Sequence, residues 1–340
     1  MVPVANPEVS ILLPVWNARG TLPVALESIR RQRHCHWECV VVDDGSTDGS
    51  LETARRLAER DSRFRVLAER HRGLVPSLSI GLNACRAPLV ARMDADDWMH
   101  RDRLALQRDV LAASPELSAV GCHVRIFPRR TLRDGRRAYE RWLNGLQDAQ
   151  DIHRDRFVEC PVAHPTLMIR RERLRALGYR DTGGPEDYDL LLRLLSEGPC
   201  VGTVPLRLHG WRDDADRLSR TDARYSLERF TECRADHLSR GFLADADGRD
   251  FVLWGHGPTG RALRRALLER GHRLAAIVEV HPRRLGKTIH GAPVIPPEAL
   301  LSRARQKIVV SVAGATPRSE IRAWLCQHGF RDGDDFVCAA

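Results

Sequence analysis

The chain has 340 residues, 43% hydrophobic and 29% charged, with a net charge of +9 and nine cysteines. That length holds two domains with separate cores, and with no run of 18 or more apolar residues it excludes a membrane-spanning helix. Met1 to Asn6 show no basic region followed by an apolar one, so no secretory signal is expected and the expected location is the cytoplasm. The predicted elements then alternate. Val9 to Pro14 reads as a strand, Leu22 to Arg31 as a helix, Cys39 to Asp43 as a strand and Ser50 to Arg60 as a helix that Ser50 can cap. Phe64 to Leu67 is a strand, Leu74 to Cys85 a helix and Leu89 to Asp94 a strand. Strand then helix with short joints predicts a parallel, doubly wound α/β sheet.

Two of these strands end in carboxylates. Val40-Val41-Val42 runs into Asp43-Asp44-Gly45-Ser46, and Leu89 to Met93 into Asp94-Ala95-Asp96-Asp97. Both clusters should meet at one carboxyl edge of the sheet, where open α/β folds bind ligands. Crowded carboxylates repel one another unless a cation separates them, and hard oxygen donors suit Mg²⁺ or Mn²⁺. A metal-bound phosphate compound is expected there. The cysteines form no Cys-x-x-Cys pair; His34, Cys35, His36 and Cys39 come nearest to a metal cluster but lack a second pair at zinc-like spacing.

Phe127 to Arg137, rich in Arg, reads as an exposed loop, and residues 139–240 as mostly helical, with Leu190 to Leu195 at buried helical spacing. Residues 244–250 are short-sided and polar, a linker, so the expected domains are 1–243 and 251–340. Residues 249–340 carry fifteen Lys and Arg against eight acids, +7 of the total +9, a face suited to peripheral contact with an anionic membrane surface. Only Lys287 and Lys307 are lysines, so compositional bias accounts for much of that charge. No zinc finger or aromatic-studded RNA-binding strand is present, and no nucleic-acid partner is expected.

Taken in order, four motifs resemble the family 2 glycosyltransferases of GT-A fold, inverting enzymes that use nucleotide-diphospho-sugars. They are Val9 to Asn17, Val41 to Ser50, Arg92 to Asp97 and Pro185-Glu186-Asp187-Tyr188-Asp189-Leu190, and the likeness spans about residues 8–220. It implies that Pro14, Trp16 and Asn17 form the nucleotide loop and that Asp96 ligates the metal, with Asp94 facing the ribose or sharing the ion. Asp43 or Asp44, with Asp44 slightly preferred, would accept the imide hydrogen of uracil. Asp187 would be the base that takes the acceptor hydroxyl proton, with Glu186 orienting or tuning it. His209 would reach back to the metal or diphosphate, Arg72 would contact the base or phosphates, and His164-Pro165-Thr166 resembles the acceptor-side segment. His71, Ser79 and Trp16 stand where relatives have Asn, Asn and Tyr, so the likeness is weakest for the nucleotide. The acceptor would be a saccharide, lipid-linked or other hydroxyl in polysaccharide or glycoconjugate assembly.

After the strand Phe251 to Trp254 come Gly255, Gly257 and Gly260, a helix, and a second strand ending at Glu279. Strand, glycine turn, helix, strand and terminal acid is the dinucleotide-binding plan. About half a full dinucleotide domain is present, and the segment resembles small Rossmann-like modules appended to sugar-modifying enzymes. A docking or regulatory role is expected before a redox one. Two other readings of the whole chain follow from these features: a nucleotide-sugar-binding regulator without turnover, and an NAD-dependent oxidoreductase working through the second domain.

Overall fold

The computed structural model describes residues 6–34, 36–214, 217–246 and 250–340. Cys35 of the His and Cys group and residues 247–249 of the expected linker lie outside the described residues. In chain order the elements are β1 (Val9–Val15), α1 (Leu22–Arg30), β2 (Trp37–Asp43), α2 (Ser50–Arg60), β3 (Phe64–Ala68), α3 (Leu74–Ala84), β4 (Leu89–Arg92) and β5 (Trp98–Met99). There follow α4 (Arg103–Ala113), β6 (Ala119–Phe127), α5 (Asp134–Leu143), α6 (Ala149–Arg154), β7 (Met168–Arg170), α7 (Arg171–Leu177), α8 (Glu186–Leu195) and β8 (Val201–Arg212). The remainder is α9 (Leu218–Thr221), α10 (Leu227–Arg240), β9 (Asp250–Trp254), α11 (Pro258–Glu269), β10 (Arg273–Val278), β11 (Thr288–Ile289), β12 (Ala292–Ile295), β13 (Lys307–Val310), α12 (Ala315–Gln327) and β14 (Phe336–Cys338).

Contacts divide the chain into two units. The first comprises Met1–His153, Val162–Thr182 and Arg193–Arg217. Its eight-stranded sheet runs β3-β2-β1-β4-β7-β6-β8-β5. The first four strands are parallel, and β7 turns antiparallel to both β4 and β6. Every residue of β1 and β2 is buried, which is why both read as unbroken apolar runs and not as alternation. Helix α3 lies so tightly on them that a Cβ at Gly81 would collide with Leu12 and come within 2.8 Å of Val42. The parallel register then delivers the ends of β1, β2 and β4 to one edge, as the alternation predicts.

One expectation is corrected in this unit and another is extended. Residues 127–137 are not all loop, because α5 starts at Asp134 and buried Glu140 accepts the Ile126 amide at 2.9 Å and pairs with Arg129. Arg136 lies over the Trp211 ring at 4.5 Å and Arg137 donates to the carbonyls of Leu132 and Arg129, so Arg129, Arg136 and Arg137 are spent on local contacts. Residues 139–240 hold more helix than strand, as expected, but they also contain a long strand that was not expected, β8, twelve residues in length. Its middle, Pro205-Leu206-Arg207, is exposed and the β6–β8 register shifts there, which breaks the period-2 signal.

The second unit comprises Arg154–Pro161, Gly183–Leu192 and Leu218–Ala340. Its sheet runs β11-β12-β10-β9-β13-β14, with all but β11 parallel, so the order outward from β9 is that of a doubly wound sheet. Contacts therefore assign α10 and two earlier segments to the unit that holds this sheet. Arg234 of α10 donates to the carbonyls of Val158 and Ala339, and Arg322 of α12 to Asp155 at 2.7 Å, which explains the grouping. Among the described residues, no helix is long and apolar enough to cross a membrane.

Candidate active site

At the open edge of the first sheet Val15 pairs with Asp43, and the Asp44 amide donates to Val15 O at 2.8 Å. Pro14 lies past the last β1–β4 pair, Leu12 with Arg92, where the strands part. Asn17 takes φ +46°, donates its amide to Ser46 Oγ at 3.0 Å and accepts the Thr47 amide at 2.9 Å, zipping the two loops together. Ser50 does not cap α2: Gly49 is the N-cap, and the Ser50 hydroxyl donates to Asp48 and accepts the Ala18 amide. Trp16 is half exposed and stacks on His71, ring centroids 4.6 Å apart and planes 20° apart.

The two adjacent aspartates do different things. Asp44 Oδ1 accepts the Arg72 amide at 2.8 Å, Oδ2 the Gly73 amide at 2.9 Å, and His71 Nδ1 lies 2.9 Å from Oδ2. Both oxygens are spent on holding the 71–73 loop, and Arg72 is tied there by its amide while its side chain is exposed. Asp43 is 1% exposed; Oδ2 accepts the Ser46 amide at 3.0 Å, and Oδ1 has no hydrogen-bond partner among the described residues. The geometry turns the expected preference for Asp44 around, because the spare acceptor belongs to Asp43.

Asp94, Asp96 and Asp97 bring carboxylate oxygens within 4.8 Å of one another. Burial pushes Asp96 up to about 7, with the Asp97 and Asp94 charges adding to it, and burial followed by Asp94 holds Asp97 well above the usual carboxylate range. Against the same burial, Arg92 keeps Asp94 below its usual value, donating to Oδ1 at 2.6 Å. Among the described residues the Asp96 carboxylate has no partner beyond its own backbone. Three hard oxygens in mutual repulsion are a donor set that fits Mg²⁺ or Mn²⁺, the expected cofactors.

His209 is not one of the ligands. It is fully buried on β8, with Nε2 2.8 Å from Asp97 Oδ2 and Nδ1 3.2 Å from Arg103 Nη1. An arginine can only donate, so Nδ1 accepts and Nε2 carries the proton to Asp97. Burial, with Arg103 next, pushes this imidazole well below its usual range, so it stays neutral. Both ring nitrogens are occupied, and the residue orients Asp97 from behind. The Arg212 amide holds the other Asp97 oxygen at 2.7 Å.

Asp187 and Glu186 open α8, in the second unit. Glu186 is 2% exposed, and both its oxygens accept from the Tyr225 hydroxyl, at 2.9 and 2.7 Å. Asp187 is partly exposed and its Oδ1 accepts the Tyr188 amide at 2.7 Å. Burial, then the Asp187 charge, pushes Glu186 up to about 7. The folded chain thus keeps this proton better than the unfolded chain, whose Glu titrates near 4.5. The associated stability is fully present below pH about 4.5 and is lost as pH rises through about 7, an effect on the order of 3 kcal/mol. Glu186→Gln, which can still accept from Tyr225, should therefore raise the thermal midpoint by several degrees at pH 8 and hardly at pH 4.5; an equal change at both would contradict the assignment.

The model of glycosyl transferase family 2 matches residues 10–178. EpsE of Bacillus subtilis (strain 168), a glycosyltransferase by name, is 30% identical over 230 residues, 66% of this chain and 80% of that protein. The chain belongs to glycosyl transferase family 2. It is also 29% identical over 215 residues to the amylovoran biosynthesis glycosyltransferase AmsE of Erwinia amylovora, 62% of this chain and 78% of AmsE. Among solved structures, S. aureus TarS 1–349 in complex with UDP-GlcNAc aligns with a TM-score of 0.54 at 15% identity, over 69% of this chain and 68% of that one. Mannosyltransferase PcManGT from Pyrobaculum calidifontis, in complex with GDP-Man and Mn²⁺, aligns with a TM-score of 0.50 at 23% identity, over 78% and 70%. The two structural likenesses show the GT-A fold, and the family match and the relatives make the chain a glycosyltransferase; it carries a second, smaller α/β sheet.

In each unit taken by itself, several contributors to these side-chain clusters left little trace in the sequence. Arg103 is fully buried, donating to Arg92 O at 3.0 Å and to Gln107 Oε1 at 3.0 Å as well as facing His209. The one available signal was a polar pair four residues apart, Arg103 and Gln107, on the face of α4 that also buries Leu104 and Leu111. Arg217 donates to Arg212 O at 2.7 Å, and its charge lowers all three aspartates. Tyr225, thirty-nine residues from Glu186, left no local trace.

Proposed function

We propose that the protein transfers a sugar from a nucleotide-diphospho-sugar, a UDP-sugar on the strength of the unpartnered Asp43 Oδ1, to a hydroxyl acceptor with inversion, in polysaccharide or glycoconjugate assembly. The observation that carries this reading is the acidic corner, whose three carboxylates crowd at the sheet edge beside the loops of Asp43 and Asn17. Asp96 and Asp94 would hold Mg²⁺ or Mn²⁺, with Asp97 fixed behind them by His209 and Arg212. When bound, the ion supplies charge to a diphosphate leaving group as the glycosidic bond breaks. Arg217 adds a fixed positive charge at the same corner, and the Trp16–His71 stack offers a flat face to a base.

Asp43 Oδ1 is the buried acceptor for the uracil imide hydrogen, which cytosine and adenine do not present. Asp187 would accept the acceptor hydroxyl proton, and Glu186, held by Tyr225, sets the charge beside it. The likeness to AmsE, an amylovoran biosynthesis glycosyltransferase by name, supports a place in polysaccharide synthesis. The protein would act in the cytoplasm, at the inner face of the membrane where its basic arginines meet anionic lipid.

A thermal-shift panel of UDP-, GDP- and TDP-sugars with and without Mn²⁺ tests the donor. The UDP-sugar should raise the midpoint most, and only with metal. Asp43→Asn, which replaces an acceptor with an amide, should weaken the UDP-sugar shift by roughly tenfold in donor concentration, the loss of one buried hydrogen bond. A GDP-sugar that stabilises more, or an unchanged response in the variant, would overturn the uridine assignment.

A further inference from the structure

The turn between β9 and α11 supplies none of the residues of the proposed transferase site. Gly255 takes φ +93°, a left-handed value that favours glycine. A Cβ at Gly260 would collide with the Gly255 carbonyl and lie 2.6 Å from Ser311 Oγ, so the helix start is drawn hard against the turn. At Gly257 a Cβ would meet nothing within 4 Å, so the space before the helix is open. Helix α11 is twelve residues long, Gly257 is its N-cap with no side-chain cap, and its first turn holds no acid. The Thr259 and Gly260 amides therefore start the helix without a capping side chain.

Charge at this end runs against the helix dipole. Arg261 and Arg264 sit in the first two turns, where a helix favours anions. His256, just ahead of the N-cap, is 7% exposed, and its Nε2 has no hydrogen-bond partner among the described residues. Burial holds its imidazole below the usual range, and the charges that bear most on it are Arg264, Arg261, His290 and Arg284, all cationic or potentially so. Arg284 is paired with Glu279 and Arg261 Nη1 donates to His256 O at 3.4 Å, but His256 Nε2 and Arg264 Nε, both buried at this uncapped helix start, have no hydrogen-bond partner among the described residues. Glu279 cannot supply one: its Oε2 accepts from Arg284 at 2.8 Å and its Oε1 from the Val280 amide at 3.0 Å. That is the carboxylate a dinucleotide's ribose would need, and it is already engaged.

We propose that this turn binds a phosphate or diphosphate group through the Thr259 and Gly260 amides, His256, Arg261 and Arg264, and that it is not a redox dinucleotide site. The group can arrive free, on a nucleoside or on a lipid, and all three share the chemistry read here.

Calorimetry of the full chain with inorganic pyrophosphate in excess EDTA tests it, since the chelator suppresses metal-assisted binding at the acidic corner. One pyrophosphate should bind the wild type, and Asp96→Asn should bind it equally. Gly257→Asp puts a carboxylate at the open N-cap, where it occupies the same amides and should stabilise the helix. Binding should fall at least tenfold in that variant with no loss of thermal midpoint, and likewise in a His256→Ala, Arg261→Ala double variant. UDP and farnesyl diphosphate as competitors name the source, the tighter one marking a nucleotide-borne or lipid-borne group. No heat with wild type, undiminished affinity in Gly257→Asp, or NAD binding far tighter than pyrophosphate would overturn the proposal.

Discussion

Replacing Asp96 with asparagine is expected to reduce sugar transfer by roughly 10²–10³-fold or more, the scale on which loss of a charge-stabilising group at a developing oxyanion is felt. Asp96 carries the least committed carboxylate of the acidic corner, and burial with its two acidic neighbours pushes it up to about 7. Asparagine keeps the shape and removes one of three repelling charges. The variant should consequently unfold at the same temperature as wild type or higher when metal is withheld. Added Mn²⁺ should raise the wild-type midpoint and leave the variant almost unmoved. Full transfer by the variant, or an equal Mn²⁺ response in both proteins, would remove Asp96 from the metal site. Loss of activity together with a collapsed midpoint would point to a structural role instead.

Asp187→Asn is the second large effect, an expected loss of about 10²–10⁴-fold in transfer, the usual contribution of a general base. Asparagine still accepts the Tyr188 amide through its carbonyl oxygen, so the start of α8 should be preserved. The donor should bind as before, because the proton to be removed belongs to the acceptor. Unchanged turnover would exclude this residue as the base, and a loss confined to donor affinity would reassign it to the nucleotide.

Much of this architecture was legible because its signals are local. β1, β2 and β4 are buried on both faces and read as apolar runs, and Asp43 to Ser46 and Asp94 to Asp97 follow them without interruption. A carboxylate that ends a buried strand has few places to go except the sheet edge. What failed was long-range. The part of His209 was set by Asp97 and Arg103, more than a hundred residues away, and no local pattern tells a histidine that ligates from one that supports a ligand. Asp43 and Asp44 look alike in sequence; only the amides of the 71–73 loop, closing on Asp44, separate them. β8 escaped because its exposed centre mixes Pro, Leu and Arg. The grouping of residues 154–161 and 183–192 with the second sheet likewise depends on arginines that lie far along the chain.

On the proposed function, the acidic corner of the first sheet grips a divalent ion against a nucleotide's phosphates, and a crystal structure of the full chain grown with MnCl₂ and UDP, with anomalous scattering recorded at the manganese edge, reads this out. A manganese peak should appear bonded to Asp96, with the UDP diphosphate on the ion's other side and the uracil imide on Asp43. An anomalous map with no peak at Asp94, Asp96 and Asp97, or UDP bound with its phosphates away from them, would contradict it.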